Sequence, residues 1–348
     1  MDYRQLGRTD LRVSAIGLGT MTFGEQNTEA EGHAQMDYAL DHGINFLDAA
    51  ELYPIPPKAE TQGRTEEIIG SWLKARGNRD KVILASKVVG RSDSTWFRDD
   101  GRPATLARAD VLEAVDKSLK RLGTDYIDHY QVHWPDRAVS AFGSVPTVFH
   151  PADGPEVPIA ETLETLDEVV KAGKVRHIGL SNESPWGTMT WLTLADTRTL
   201  PRVQSIQNAY SLVNRTFETG LAEIAMREDV GLLAYSPLAQ GYLTGKYRDG
   251  ALPEGSRKAL FDRLQRYEKP GADTAVAAYV DLAAEVGLDP AQMAIAFAVD
   301  RPFVTSVLIG ATTMEQLGTN IRAFDIKLSP EITERIDAIH QIHQNPCP

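Results

Sequence analysis

Ile44-Asn45-Phe46-Leu47-Asp48-Ala49-Ala50-Glu51-Leu52-Tyr53 is the stretch on which the reading of this chain turns. Ile44–Leu47 is a strand-like apolar run, too short for a helix, and it ends on a carboxylate with a phenol five residues beyond. From Glu66 to Arg76 the period changes to that of a helix, with Ile68, Ile69, Trp72 and Leu73 on one stripe and Gly77 as the stop. That is one βα unit.

The same alternation runs outward in both directions. Ala15–Gly19 leads to a helix from about Glu29 to His42, with Thr28 and Glu31 spaced as a capping box and Gly43 as the stop. Val82–Ser86 leads to a helix with Leu112, Val115, Leu119 and Leu122 on one face and Asp110 and Glu113 at its start. Ile127–Val132, Arg176–Leu180, Val203–Ile206, Gly231–Ala234 and Thr305–Ile309 supply further strands. Helices near Ala160–Lys171, Pro185–Thr197, Phe217–Arg227 and Ala272–Glu285 separate them. Eight strands with intervening helices match a (β/α)8 TIM barrel, whereas a doubly wound sheet usually has five or six strands. The expected architecture is therefore α/β, one TIM-barrel domain over residues 1–348. Tyr3–Leu6 and Leu11–Val13 read as an N-terminal β-hairpin plugging the barrel floor. Pro290–Val299 and Pro330–His343, the latter with Ile332, Ile336 and Ile339 on one face, read as added C-terminal helices.

Composition narrows the function. The 348 residues are 42% hydrophobic and 24% charged, ordinary for a globular chain with a sizeable core. A net charge of −12 argues against nucleic-acid and anionic-membrane partners, which need a basic patch. The single Cys347 excludes an internal disulfide and any cysteine zinc cluster, and fits a reducing compartment. Met1-Asp2-Tyr3-Arg4-Gln5 carries no signal-peptide pattern, and no run approaches about 18 apolar residues. A cytoplasmic protein is expected, with oligomeric state left open.

In a parallel barrel the strand C-termini converge on the active-site face. Asp48 and Tyr53 follow one strand, Lys87 ends the next and His133 ends the one after, so these groups become neighbours around the ring. The long irregular segments Pro54–Gly63, Val88–Thr105, Trp134–Pro158 and Ser236–Pro270 all follow strands and would form that face as lids or substrate walls. Any one of the four residues alone is more often a turn or surface group; together they form an acid/base cluster. An ammonium beside a phenol favours the phenolate, so Lys87 is expected to lower the pKa of Tyr53, with Asp48 keeping Lys87 charged. A neutral His133 can donate a ring N–H to a carbonyl oxygen.

With these residues in place the chain resembles the aldo-keto reductases, NADP(H)-dependent oxidoreductases on a TIM barrel that use an Asp, Tyr, Lys and His tetrad. The likeness extends to Gly17-Leu18-Gly19-Thr20-Met21 and Gly179-Leu180-Ser181-Asn182, and is nearest to the bacterial Tas-type branch through residues 19–26, Gln131-Val132-His133-Trp134 and the Pro-Cys-Pro ending. The resemblance implies that Asp48, Tyr53, Lys87 and His133 are catalytic. It also implies that Gly19, Thr20, Met21 and Asp48 bind the cofactor, that Ser181, Asn182 and Gln207 bind its nicotinamide carboxamide, and that Tyr235 stacks beneath the ring. Ser236, Pro237, Leu238 and Gly241 match the loop over the pyrophosphate, and Lys246 and Arg257 match residues for the 2′-phosphate, a pair of cations that favours NADPH. Gly310-Ala311-Thr312 would open a phosphate-facing helix bearing Gln316 and Asn320. The related potassium-channel β-subunits have an acid where this chain has Thr319 and a Trp where it has Tyr235, which leaves the adenine side less defined.

The substrate is expected to be a small carbonyl compound, with Phe23, Tyr53, Trp96 and Trp134 as an aromatic mouth. In this picture NADPH delivers hydride while Tyr53 protonates the oxygen. Two other classes compete with it. In one, Lys87 is a Schiff-base nucleophile, which requires a depressed Lys pKa that Asp48 opposes. In the other, the chain is an NADP(H)-sensing binding module with slow turnover, like the channel β-subunits. A Rossmann site at Gly17-x-Gly19 lacks its third glycine, Gly241–Tyr247 lacks P-loop spacing, and His340 with His343 reads as helix surface rather than a metal pair, so no metal is expected.

Overall fold

The structure is a computed structural model and describes residues 1–140, 148–150 and 154–348. The N-terminal hairpin pairs β1 (Tyr3–Gln5) with β2 (Arg12–Ser14) antiparallel. Eight parallel strands follow: β3 (Ile16–Gly19), β4 (Phe46–Asp48), β5 (Ile83–Val88), β6 (Ile127–Val132), β7 (Val175–Ser181), β8 (Val203–Ala209), β9 (Gly231–Tyr235) and β10 (Val304–Ile309). They close into a barrel with β10 pairing β3, the expected architecture. Outside lie α1 (Glu29–Asp41), α2 (Arg64–Arg76), α3 (Arg108–Leu122), α4 (Ile159–Lys171), α5 (Pro185–Arg198), α6 (Leu221–Glu228), α7 (Arg257–Phe261), α8 (Ala272–Glu285), α9 (Pro290–Val299), α10 (Met314–Arg322) and α11 (Pro330–Ile342).

Several local expectations hold for the physical reason given. Both bonds of the Thr28/Glu31 capping box form at α1. Gly77 sits at φ 58° and ends α2, a backbone that glycine adopts without a Cβ penalty. Others are corrected. Asp110 and Glu113 do not cap α3: its N-cap is Ala107 with no side-chain bond, because Asp110 is taken by Thr105 and Arg102. The helix expected over Phe217–Arg227 divides into a 3-10 turn at Thr216–Thr219 and α6, since Gly220 has non-helical angles. The strand expected at Ile44–Leu47 is Phe46–Asp48 instead, and Asn45 just before it bonds Ser14 N–H and Arg12 C=O through its side chain. α9, expected as an added helix, is buried from Met293 to Val299 and is apolar on all sides, as a helix enclosed on every face must be. Among the described residues no single helix is long and apolar enough to cross a membrane.

The hairpin closes the floor. Leu6 and Val13 are fully buried in a cluster with Phe46, Ala85, Leu233 and Leu308 from four barrel strands. Arg4 ties the hairpin outward, donating to the carbonyls of Val304 at 2.7 Å and Val299 at 2.8 Å. Inside the barrel, glycine appears where a neighbour fills the space: a Cβ on Gly179 would lie 2.4 Å from His129 Nε2. The register then levels the site. Asp48 pairs with Gly19 on one side and Ala85 on the other, Lys87 with Gln131, and Ser181 with Gln207.

Candidate active site

At the C-terminal mouth of the barrel the Lys87 side chain is fully buried, and its ammonium needs partners. Nζ donates to Asp48 Oδ2 at 2.7 Å and to the Ala49 carbonyl at 2.8 Å, and it lies 3.4 Å from the Tyr53 hydroxyl. The other Asp48 oxygen accepts amide N–H bonds from Gln207 at 2.8 Å and Gln131 at 3.2 Å. The His133 ring meets the Tyr53 ring edge-on with centroids 5.7 Å apart. The structure therefore brings Asp48, Tyr53, Lys87 and His133 into one cluster.

Tyr53 is not on a strand, so its loop must be fixed. Glu51 N–H donates to the Lys87 carbonyl, Ile55 N–H to Met21 C=O and Gly63 N–H to Tyr53 C=O. Beneath the loop, Glu51 and Arg98 form an ion pair at 2.9 Å with both side chains fully buried, and Glu51 also accepts Val89 N–H. Sequence reasoning missed this pair and also Gln131. The signal for Gln131 was available: it lies two residues before His133, hence on the same face of β6.

Electrostatics overturn one expectation. The Tyr53 phenol is pushed well above its usual range by burial first, then by the Asp48 carboxylate and Tyr235. Lys87 does not reverse this, because its charge is compensated by Asp48 at 2.7 Å. Burial also outweighs Asp48 at Lys87, whose pKa is lowered. His133 is held well below the usual imidazole range by burial and by Lys87, so it is neutral. Its Nδ1 is buried with no hydrogen-bond partner among the described residues.

The model of the Aldo/keto reductase family matches residues 15–341, nearly the whole chain. This chain belongs to the aldo/keto reductase family. It is 51% identical over 350 residues to "Protein tas" of Escherichia coli K12, with 100% of both chains covered. It is 36% identical to "Uncharacterized oxidoreductase YrpG" of Bacillus subtilis, covering 97% of this chain and 96% of that one. It is 31% identical to a "Probable voltage-gated potassium channel subunit beta" of Arabidopsis thaliana, covering 98% and 97%.

For this reductase-family chain the other expected site residues fall into groups. Ser181, Asn182, Gln207 and Tyr235 are joined: Asn182 Nδ2 donates to Ser181 Oγ at 3.1 Å, Ser181 Oγ to the Gln207 carbonyl at 2.7 Å, and Tyr235 OH to Asn182 Oδ1 at 2.7 Å. Thr20 Oγ1 donates to the Asp48 carbonyl at 2.9 Å, so Gly19-Thr20-Met21 frames the quartet. Ser236, Pro237, Leu238 and Gly241 form the turn after β9, with Ser236 at φ 55° and Gly241 at φ 101°. Lys246 and Arg257 have no carboxylate partner among the described residues, although Lys258 nearby is paired with Glu268 at 2.7 Å. Arg257 is held below the usual guanidinium range by burial.

The start of α10 differs from expectation. Thr312 N–H is taken by Gln316 Oε1 at 3.0 Å, Gln316 N–H by the Thr313 cap, and Asn320 bonds the Gly310 carbonyl at 3.1 Å. Two N–H groups there, those of Thr312 and Gln316, thus have local side-chain partners. Among the proposed substrate residues, Phe23 is corrected: it is fully buried against Gly32 and Ile68-side packing of α1 and α2, not at the mouth. Trp134 does reach the site, its ring 4.9 Å from that of His133 and its indole N–H on the Arg91 carbonyl. Trp96 is 38% exposed and rests on Phe97, which shares a small cluster with Trp134. Of the Trp134–Pro158 segment, residues 141–147 and 151–153 lie outside the described residues.

Proposed function

We propose that this chain is an NADP(H)-dependent carbonyl reductase in which Tyr53 is the general acid. It would act as one barrel domain in the cytoplasm on a small aldehyde or ketone. The observation that carries this is the buried Asp48–Lys87 pair with its ammonium 3.4 Å from the Tyr53 hydroxyl. A cofactor with a carboxamide and phosphates suits the residues at hand: amides and hydroxyls at Ser181, Asn182 and Gln207, an aromatic face at Tyr235, and the cations Lys246 and Arg257 with no carboxylate partner among the described residues.

When bound, NADPH supplies the hydride. The chain's own contribution is to orient the carbonyl and deliver a proton. The Tyr53 O–H, kept protonated by its raised pKa, donates to the carbonyl oxygen. The proton moves as that oxygen takes on alkoxide character, because an alkoxide is a far stronger base than a phenolate. Lys87 stands beside the phenolate left on Tyr53 and stabilises it. Neutral His133 offers a ring N–H rather than a second charge, which positions the oxygen without opposing Lys87. The Schiff-base alternative for Lys87 meets the lowered pKa it requires, but has less support because the ammonium is bonded to Asp48 and to the Ala49 carbonyl and faces the phenol.

The test is a panel of aldehydes and ketones against NADPH and NADH. Turnover with NADPH well above NADH is expected. Absence of turnover, combined with recovery of a specific protein partner, would favour a cofactor-sensing module instead.

A further inference from the structure

Behind the Tyr235 ring a run of hydrogen bonds ends on the last residues described. Arg266 Nη1 donates to the Tyr235 hydroxyl at 3.1 Å, and Arg266 Nε donates to the Pro348 carbonyl at 3.3 Å. The tail is itself fixed: Cys347 N–H donates to Val213 C=O at 3.1 Å, and the Asn345 side chain accepts Arg215 N–H at 2.6 Å. On its other side, Tyr235 OH donates to Asn182 Oδ1 at 2.7 Å, and Asn182 Nδ2 donates to the His133 carbonyl at 2.8 Å.

The direction of this run is fixed from both ends. A guanidinium has only donors, so a hydroxyl that accepts from Arg266 must spend its single proton on its other neighbour. Tyr235 therefore donates to Asn182 Oδ1, which is the orientation the acceptor-only His133 carbonyl already gives the amide by taking Nδ2. Without Arg266 the amide keeps its orientation, since the His133 carbonyl and Ser181 Oγ both take its Nδ2, but the Tyr235 ring loses one of the two bonds that hold its hydroxyl.

We propose that Arg266 is a positioning residue for the cofactor site. It braces the Tyr235 hydroxyl between the C-terminal tail and Asn182, and so fixes the ring that the nicotinamide meets. This rests on the NADP(H) reading above. Arg266 acts through the hydroxyl and not by touching the cofactor, which separates it from Lys246 and Arg257.

The experiment measures the NADPH dissociation constant by quenching of tryptophan fluorescence in wild type, Arg266→Met, Arg266→Lys, Tyr235→Phe and Arg266→Met with Tyr235→Phe. Loss of a hydrogen bond to a charged group predicts about five- to tenfold weaker binding in Arg266→Met, and a similar loss in Tyr235→Phe. Arg266→Lys, another donor-only cation, should stay within about threefold of wild type. The double variant should bind no worse than Tyr235→Phe alone, because neighbours in one relay are non-additive. KM for the carbonyl substrate should move less than the NADPH constant. Unchanged binding in Arg266→Met overturns the inference, as does a full extra loss in the double variant, which would mean direct contact with the cofactor. If Arg266→Met does not fold, judged by melting without cofactor, unchanged binding in Tyr235→Phe overturns it equally. Failure of wild type to bind NADPH removes the proposed function itself, and the inference with it.

Discussion

In the proposed reaction Tyr53 would serve as an acid by staying neutral, not by being acidified. Its pKa is raised in the cofactor-free protein, so the protonated form persists above the ordinary phenol range and is lost only at still higher pH. Reduction is therefore expected to show no loss assignable to Tyr53 between about pH 7 and 9, measured as kcat at saturating NADPH. A falling limb centred near pH 7 that disappears on mutating a residue near Tyr53 would contradict this. Lys87 and Asp48 form a buried pair at 2.7 Å, and removing one partner strands the other charge. Lys87→Met should cost about 3–5 kcal/mol in urea unfolding, with partial recovery when Asp48→Asn is added. Equal stability of Lys87→Met and wild type would show that the pair is not charged. The clustering of the four residues could be read from the sequence because Asp48 and Lys87 lie at the ends of their strands and Tyr53 and His133 just beyond theirs. The sign of the Tyr53 shift could not, because it depends on burial and on whether Asp48 neutralises Lys87.

At the scale of elements, periodicity placed the barrel strands and most helices, and the errors came where a side chain had another partner. Asp110 looked like a helix-start residue but serves Arg102 and Thr105, and Asn45 looked like strand but bonds the hairpin. Phe23 looked like part of an aromatic mouth, yet its ring lies beside Gly32 of α1 and is fully buried. The hairpin gives a direct test of the floor plug. Leu6 has no exposed surface and packs among Phe46, Ala85, Leu233 and Leu308, so Leu6→Ala should destabilise by about 2–5 kcal/mol. A change below about 0.5 kcal/mol would mean the floor can collapse around the gap or does not need the plug.

Across the whole molecule, stability and cofactor choice draw on groups far apart in sequence. His129 is fully buried, bonds Ser205 Oγ at 2.7 Å, and has its pKa pushed down to about 3 by burial. Its folded pKa lies below the ordinary value of about 6.5, so the unfolded chain binds the extra proton and stability falls as pH drops from about 6.5 towards 3. His129→Asn should flatten that decline in acid unfolding curves, and an unchanged slope would assign it to carboxylates alone. At the cofactor end, Arg257→Ala should narrow the preference for NADPH over NADH by about tenfold through NADPH affinity, with NADH little affected. Equal loss of both cofactors would place Arg257 elsewhere than the 2′-phosphate. Fold and tetrad were visible from strand rhythm, whereas the Glu51–Arg98 pair and the Arg266 relay join residues 47 and 31 positions apart that no local pattern connects.

The central claim, proton delivery by Tyr53, is tested most directly by Tyr53→Phe, measured as turnover at saturating NADPH together with the NADPH dissociation constant. Loss of a positioned general acid predicts turnover lower by about 10²–10⁴-fold with cofactor binding within about threefold of wild type. Turnover within a few-fold of wild type would contradict the account.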